Sequence, residues 1–555
     1  MRIHVNESPP NFDGSMVALD IEMFGQKEGR LHLPEGTLAS LQLCADAGDV
    51  WVFTEMDTIR EAMESIQRAC WIGHNIQYDL FHLRRFFPDL VTEHPIEDTM
   101  LLEKWLYNGY YDGFALKDLV RRYFGVHLDK EIRDEFETAT EMTKEQIRYA
   151  ADDAYWTFRT FFEQVRAGAE EDRDLTGYHE IDIPSVWSVL DIQPIKVNKE
   201  SWITMVDGFD ARAKELEAAL GFNVKSVPQV KAAVLKATGI VLENTQKDTL
   251  EAMSGEIFEQ ILEVRKYRDA VSKYGYNWIE EHVDADGFVR SNWIVTGAET
   301  GRMASRDPNL ENIPSKVLPE YREQFIQSKG CFTIVDISAQ EPRILAHETQ
   351  DKELLNVFKN KEDIHLIVAR AAYKDDTIQK DDPRRKSAKS ISLGTTYGLT
   401  SVGLSKKLNC SEDQAQEFLD NYFQKFPDIR LWIDSQRRKA QRDGYVTTAS
   451  GRRCWISPYK FGRENNAINA PCQGGAADFT KLWVILFRAE CKFAGIPSAL
   501  ANIIHDELVL DHPVEMQEIY HNLLESSLQA AAAKLYPDVP FVAEYSCGET
   551  WADKK

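Results

Sequence analysis

The stretch that most constrains this chain is Ile503-Ile504-His505-Asp506-Glu507-Leu508-Val509-Leu510, two apolar runs closing on a polar tip with two adjacent carboxylates. Val and Ile on either side favour strands, so the segment predicts a β-hairpin with buried arms and with Asp506 and Glu507 where the chain turns. Alone, it fits an ordinary acidic turn better than a site, since Asp is common in turns. A second run changes the weighting: Phe332-Thr333-Ile334-Val335-Asp336-Ile337-Ser338 carries another carboxylate inside an apolar segment. Burying such a group is costly unless it is paired or neutralised, and two carboxylate strands in one chain point to chemistry.

At 555 residues the chain exceeds one hydrophobic core, and its length predicts roughly three to four domains. No apolar run approaches the ~20 residues of a membrane helix. Met1 to Phe12 lacks a basic-plus-apolar signal region, so no membrane association and a cytoplasmic location are expected. Eight scattered cysteines without a Cys-x-x-Cys pair argue against a zinc site or a disulfide framework. The net charge of -24 runs against a phosphate-binding surface, but net charge averages over faces. Basic clusters occur at Arg384-Arg385-Lys386 with Lys389, at Arg265-Lys266 with Arg268, and at Arg437-Arg438-Lys439. Each taken singly also fits a solvated helix face.

Nearer the start, Met16 to Phe24 reads MVALDIEMF, placing Asp20 and Glu22 on one face of a strand. Strand-like runs follow at Leu38 to Cys44 and Val50 to Phe53. Then come Gly73-His74-Asn75-Ile76-Gln77-Tyr78-Asp79 before a helix, and Tyr149 and Asp153 four apart on one helical face. Singly each is more often structural. Together, Asp20, Glu22, Asp79 and Asp153 form an oxygen-rich set suited to two magnesium or manganese ions. The set resembles the three motifs of the proofreading 3′–5′ exonucleases, which implies a ribonuclease-H-like α/β fold. It further implies Tyr149 as the residue orienting the attacking water and Asn75 as a substrate contact.

Beyond Arg173, charged-face helices are predicted over His179 to Trp202, Phe209 to Leu220 and Ile261 to Trp278. They suggest a helical arm that grips duplex phosphates through Lys225, Arg265, Lys266, Arg268 and Lys273, or a plain helical linker. Turn-rich Thr300-Gly301-Arg302 and Pro308-Asn309-Leu310-Glu311-Asn312-Ile313-Pro314 precede the Asp336 strand. After Asp363-Ile364-His365 comes RRKSAKSISLGTTYG, Arg384 to Gly398. If helical, it presents Arg385, Lys389, Leu393 and Tyr397 on one face, cations for phosphates and flat groups for base and sugar.

In order, DISAQEPR, RKSAKSISLGTTYG and HDE, with PNLENIP, AINAPCQGGAAD and GETW, resemble the family A, polymerase-I-like DNA polymerases from Met16 to Trp551. The resemblance implies a multidomain α/β and α+β chain: an exonuclease domain over 1–175, linker helix and thumb over 176–290, palm over 291–345, fingers over 346–465 and the rest of the palm over 466–555. It implies Asp336 and Asp506 as ligands of two magnesium ions, with manganese as the alternative, and Glu507 as an auxiliary near the primer end. Arg385 and Lys389 would meet the triphosphate, Lys389 also as proton donor, with His365 and Arg343 in support. Glu341 and Tyr397 would crowd the sugar 2′ position. Arg302, Asn309, Asn312, Asn469, Gln473 and His505 would contact primer-template DNA. Departures from the family pattern at Ala339, Leu393, Glu311 and Asn465 all fall beside DNA or nucleotide in that scheme. With no 5′-nuclease region before the exonuclease part, the likeness is greatest to a compact, monomeric bacteriophage replicative polymerase.

Overall fold

The computed structural model describes residues 1–26, 35–128, 131–396, 398–456 and 465–554, apart from the side chains of 131, 393, 395 and 396. The amino-terminal part is a six-stranded sheet with helices packed on it. Its strands are β1 (Arg2–Val5), β2 (Met16–Phe24), β3 (Thr37–Cys44), β4 (Asp49–Phe53), β5 (Cys70–Gly73) and β6 (Ile96–Asp98), in the order β1-β4-β3-β2-β5-β6. The expected strand runs pair as an antiparallel meander, β2–β3 and β3–β4, while parallel β2–β5 and β5–β6 pairs need helical crossovers. Strand β1, too short and polar to stand out in the sequence, adds a parallel edge on β4.

The long helix Lys144–Glu170 packs across β2 and β3. Its start is set by a capping box: Thr143 Oγ1 accepts from the Gln146 amide and the Gln146 side chain accepts from the Thr143 amide. Such a cap contributes about 1 kcal/mol. It also fixes the rotation of the helix, and with it the direction of Tyr149 and Asp153.

The predicted helix over His179 to Trp202 is not continuous. A π-turn at Tyr178–Asp182 runs into helix Ile183–Leu190, and then Ile195–Val197 forms a strand against Phe325–Ile326. Pro194 and the β-branched Ile195 and Val197 disfavour a helix there. Helices Lys199–Leu220 and Glu256–Tyr274 then pack on each other as a two-helix arm. Trp202 stacks on Trp278 at 4.5 Å at the base of the arm, and a separate apolar cluster around Val224, Val230, Leu250 and Phe258 fills its tip.

The carboxyl-terminal sheet has four strands, β7 (Cys331–Ile337), β8 (Leu500–Ile504), β9 (Glu507–His512) and β10 (Ala543–Gly548), in the order β8-β9-β7-β10, all antiparallel. Between β7 and β8 lies a mostly helical block that includes Ile364–Tyr373 and Pro383–Thr396, then a short antiparallel pair, Tyr445–Thr447 with Arg453–Trp455, and the 28-residue helix Asn466–Phe493. Gly474 lets that helix approach closely, since a Cβ there would fall 2.9 Å from Thr448 Cγ2 and 3.1 Å from the Thr300 carbonyl. One apolar core runs from the amino-terminal sheet through this block. All eight cysteines are free thiols.

Candidate active sites

The first site lies on the amino-terminal sheet. Asp20 and Glu22 project from β2 and Asp153 from the capped helix, and the three present ligand oxygens within 4.8 Å of one another. Three like charges at that spacing repel strongly unless a cation joins them. Asp79 does not belong to this tight group. It is buried, its Oδ1 accepts from the Ile21 amide at 3.0 Å, and burial followed by the neighbouring Asp20 charge pushes its pKa well up. Burial, then Asp153, Glu22 and Asp20, likewise raise the Tyr149 phenol, so it stays protonated and able to donate.

A residue outside the expected set organises the entry loop. Asp98 N-caps helix Thr99–Tyr107 and also accepts from the amides of Asn75 and Ile76, at 3.2 and 2.9 Å. That anchor holds Asn75 in a left-handed conformation, φ 59°, at the mouth of the site. The resulting cleft of about 680 Å³ is lined by Asp20, Glu22, Asp79 and Tyr149 of the amino-terminal part and by Arg290, Trp293 and Arg306 from further along the chain. Gln77 Nε2 to the Trp293 carbonyl, 2.6 Å, and Lys104 Nζ to the Thr296 carbonyl, 2.7 Å, hold the walls together.

The second site is the hairpin itself. Ile504 pairs with Glu507, so the turn has only two residues, His505 and Asp506, with His505 at φ 58°. A non-glycine residue in that region costs on the order of 1 kcal/mol and persists where surrounding structure enforces it. Glu507 is therefore no tip residue. It opens β9 opposite Asp336, is 4% exposed, and is held by Trp551 Nε1 at 2.8 Å and Arg322 Nη1 at 3.3 Å. The Ile337 amide donates to the Asp506 carbonyl at 3.1 Å, which sets Asp506 beside Asp336. Burial, then the Asp336 charge, lifts Asp506 to about 6. Burial raises Asp336 too, against the ammonium of Lys554, which bonds both Asp336 and Glu507. Lys554 was not among the expected residues. The cue available in the sequence was the lysine pair just after GETW.

On helix Pro383–Thr396, Lys389 is exposed, while Arg385 is held by Asp363 through bonds of 2.9 and 2.7 Å. Burial, then the Lys389 charge, lowers His365 to about 4, so this imidazole is neutral near pH 7. The Leu393 side chain and Tyr397 lie outside the described residues. Glu341 pairs with Arg302 at 3.0 Å, and His505 stands 3.8 Å from the departure residue Glu311. Asn309 caps the Asn312 amide, and Asn469 donates to Gln473 at 3.2 Å.

Two further expectations, both about arginines, are corrected. Arg343, expected in support of the triphosphate contacts, is only 8% exposed: its guanidinium donates to the carbonyls of Ser338 and Pro540, and it lies 4.6 Å over the Phe358 ring. It braces the turn after Asp336 instead. In the arm, Arg265 bonds the Val224 and Thr245 carbonyls, and Arg268 bonds Asp210 and Glu217. These cations hold the arm together; of the other three expected cations, Lys225 and Lys273 are exposed and Lys266 lies half-buried, 5.3 Å over the Tyr267 ring.

Residues 197–553 match the model of DNA polymerase family A, and residues 9–163 that of a 3′–5′ exonuclease. The chain belongs to DNA polymerase family A. DNA polymerase I of Caldicellulosiruptor bescii is 29% identical over 406 residues, 68% of this family A chain and 47% of the relative. That of Aquifex aeolicus is 28% identical over 541 residues, 90% of each. The chain spans about half the length of several other such relatives, including those of Streptococcus pneumoniae and Bacillus subtilis. The POL domain of Pol1 from M. smegmatis, solved in complex with DNA primer-template and dNTP, superposes with a TM-score of 0.84 at 22% identity, over 97% of this chain and 96% of that one. The fold is thus that of a polymerase-I-like enzyme with an amino-terminal exonuclease domain. Among the described residues no helix is long and apolar enough to cross a membrane.

Proposed function

We propose that the chain extends a DNA primer on a template with deoxynucleotides and edits the primer end with a 3′–5′ exonuclease. The observation that carries this is the presence of two separate carboxylate groups in one chain, Asp336 with Asp506 and Asp20 with Glu22 and Asp153, each inside a segment matched to the corresponding family. Both donor sets are all-oxygen, as hard divalent cations require, and a cationic nitrogen already sits on Asp336. Magnesium or manganese pairs in these sites would supply Lewis-acid stabilisation of the attacking and leaving oxygens.

In synthesis, Asp336 and Asp506 hold charge next to the primer hydroxyl and the α-phosphate. Arg385 exchanges its Asp363 partner for the triphosphate, and Lys389 gives a proton to the departing pyrophosphate. Neutral His365 adds a hydrogen bond without adding charge, and Glu341 crowds the sugar 2′ position, which favours deoxynucleotides. Arg302, Asn309, Asn312, Asn469, Gln473 and His505 line the primer-template side. In editing, Tyr149 orients the attacking water beside Asp20, Glu22 and Asp153, with Asp79 in support. The chain works as a monomer, and the DISAQEPR form of the Asp336 motif favours a bacteriophage replication setting.

Steady-state primer extension tests the nucleotide site. Arg385→Ala should raise the KM for deoxynucleotides by about tenfold or more, the worth of one charge-assisted phosphate contact, with primer-template affinity unchanged. An unaltered KM would remove Arg385 from the triphosphate.

A further inference from the structure

The carboxylates of the hairpin site share a partner that neither the family match nor the motifs assign. Lys554 Nζ donates to the Asp336 carboxylate and, at 2.7 Å, to Glu507 Oε2. Its placement is built, not incidental. Three residues before it, Trp551 is fully buried, its amide donating to the Phe325 carbonyl at 3.0 Å and its indole to Glu507 Oε1 at 2.8 Å. The Arg322 guanidinium lies 4.1 Å over the same indole and also reaches Glu507. Between Trp551 and Lys554 the chain turns tightly: the Asp553 carboxylate accepts from the Thr550 amide at 2.8 Å, and the Asp553 amide donates to the Thr550 carbonyl at 3.3 Å. An ammonium on a flexible stem is thus tethered next to the carboxylates at high local concentration.

We propose that Lys554 is a tethered counter-ion of the polymerase carboxylates: it competes with divalent metal for Asp336, setting the metal concentration at which this site fills while leaving the exonuclease site untouched. The inference rests on the reading of Asp336 and Asp506 as metal ligands. Its physical basis is that one carboxylate oxygen cannot serve an ammonium and a cation at full strength together. A divalent cation on Asp336 repels the ammonium beside it, and the Lys554 side chain, 37% accessible, has room to withdraw.

The test is Mn2+ binding to the full-length protein, followed by the loss of free-ion EPR signal in an Asp20→Ala/Glu22→Ala background that removes the exonuclease ligands. Lys554→Met should bind Mn2+ at the remaining site about five- to tenfold more tightly than the Lys554 parent, the worth of one partly exposed charge-assisted bond. Lys554→Arg should restore the parent affinity. Equal or weaker binding by Lys554→Met would overturn the proposal. An Asp336→Asn control separates the two levels. If it abolishes this class of Mn2+ while Lys554→Met changes nothing, only the lysine's role fails. If it leaves Mn2+ binding intact, the metal-site reading fails and the lysine's role falls with it.

Discussion

An Asp506→Asn protein should lose templated nucleotide addition by at least about a thousandfold, the scale expected when charge stabilisation at a reacting phosphate is removed, while still degrading single-stranded DNA at the parental rate. The substitution is nearly isosteric, so the two-residue turn and the Ile337-to-Asp506 backbone bond should survive it. What it removes is the charge. Single-turnover extension of a labelled primer measures the loss, and circular dichroism checks that the fold is kept. A residual rate within tenfold of the parent would place the essential carboxylates elsewhere.

Arg452→Ala should destabilise the protein by about 3–5 kcal/mol, the scale for breaking a buried ion pair from one side. Arg452, Asp182 and Asp478 have no exposed side-chain surface, and Lys481 is equally buried. Arg452 bonds Asp182 at 2.8 and 3.0 Å and Asp478 at 2.7 and 3.0 Å, and Lys481 bonds Asp182 at 2.7 Å. Two cations and two carboxylates balance, and they tie the Tyr178–Asp182 π-turn to the long helix Asn466–Phe493. Removing Arg452 leaves two buried anions with one cation. Burial alone would raise Asp182, but the charges and hydrogen bonds of Arg452 and Lys481 outweigh it and hold it at about 2. A carboxyl depressed in the folded state stabilises the fold above its unfolded pKa of about 3.9 and loses that contribution as pH falls toward 2. Thermal melts of the parent should therefore weaken between about pH 4 and 2, and in Arg452→Ala, where Asp182 has lost a cation, the weakening should begin at higher pH. An unchanged melting temperature at pH 7 would contradict this.

Much of this arrangement was legible from the sequence where pattern and period are strict. The strand MVALDIEMF and the arms around Asp506 declare themselves through apolar, strand-favouring runs, and the Tyr149/Asp153 pair through its four-residue spacing, and each is found in the fold. Cations were harder to read. Arg265 and Arg268 look like phosphate contacts in a basic helix, yet one meets carbonyls and the other Asp210 and Glu217 across the arm. Whether a guanidinium faces solvent depends on tertiary partners that no local pattern reveals. The same holds for Arg343, drawn inward by carbonyls at Ser338 and Pro540. Glu507 departs from its expected place at the turn for a smaller reason: the turn holds only His505 and Asp506, which puts Glu507 into the strand and buries it. Lys554 escaped notice because its partners, Asp336 and Glu507, are distant in sequence.

The proposed separation of synthesis and editing puts two chemically distinct sites on one chain. It is tested most directly on a primer-template with a mispaired, end-labelled primer, with deoxynucleotides present and products resolved by length. The parent should excise the mismatch and then extend. Asp20→Ala should neither shorten the primer nor release the mispaired nucleotide, yet should extend a matched primer at the parental rate, whereas Asp506→Asn should shorten the primer and extend neither. If either substitution abolishes both shortening and extension in a folded protein, the sites are not separate and the account is wrong.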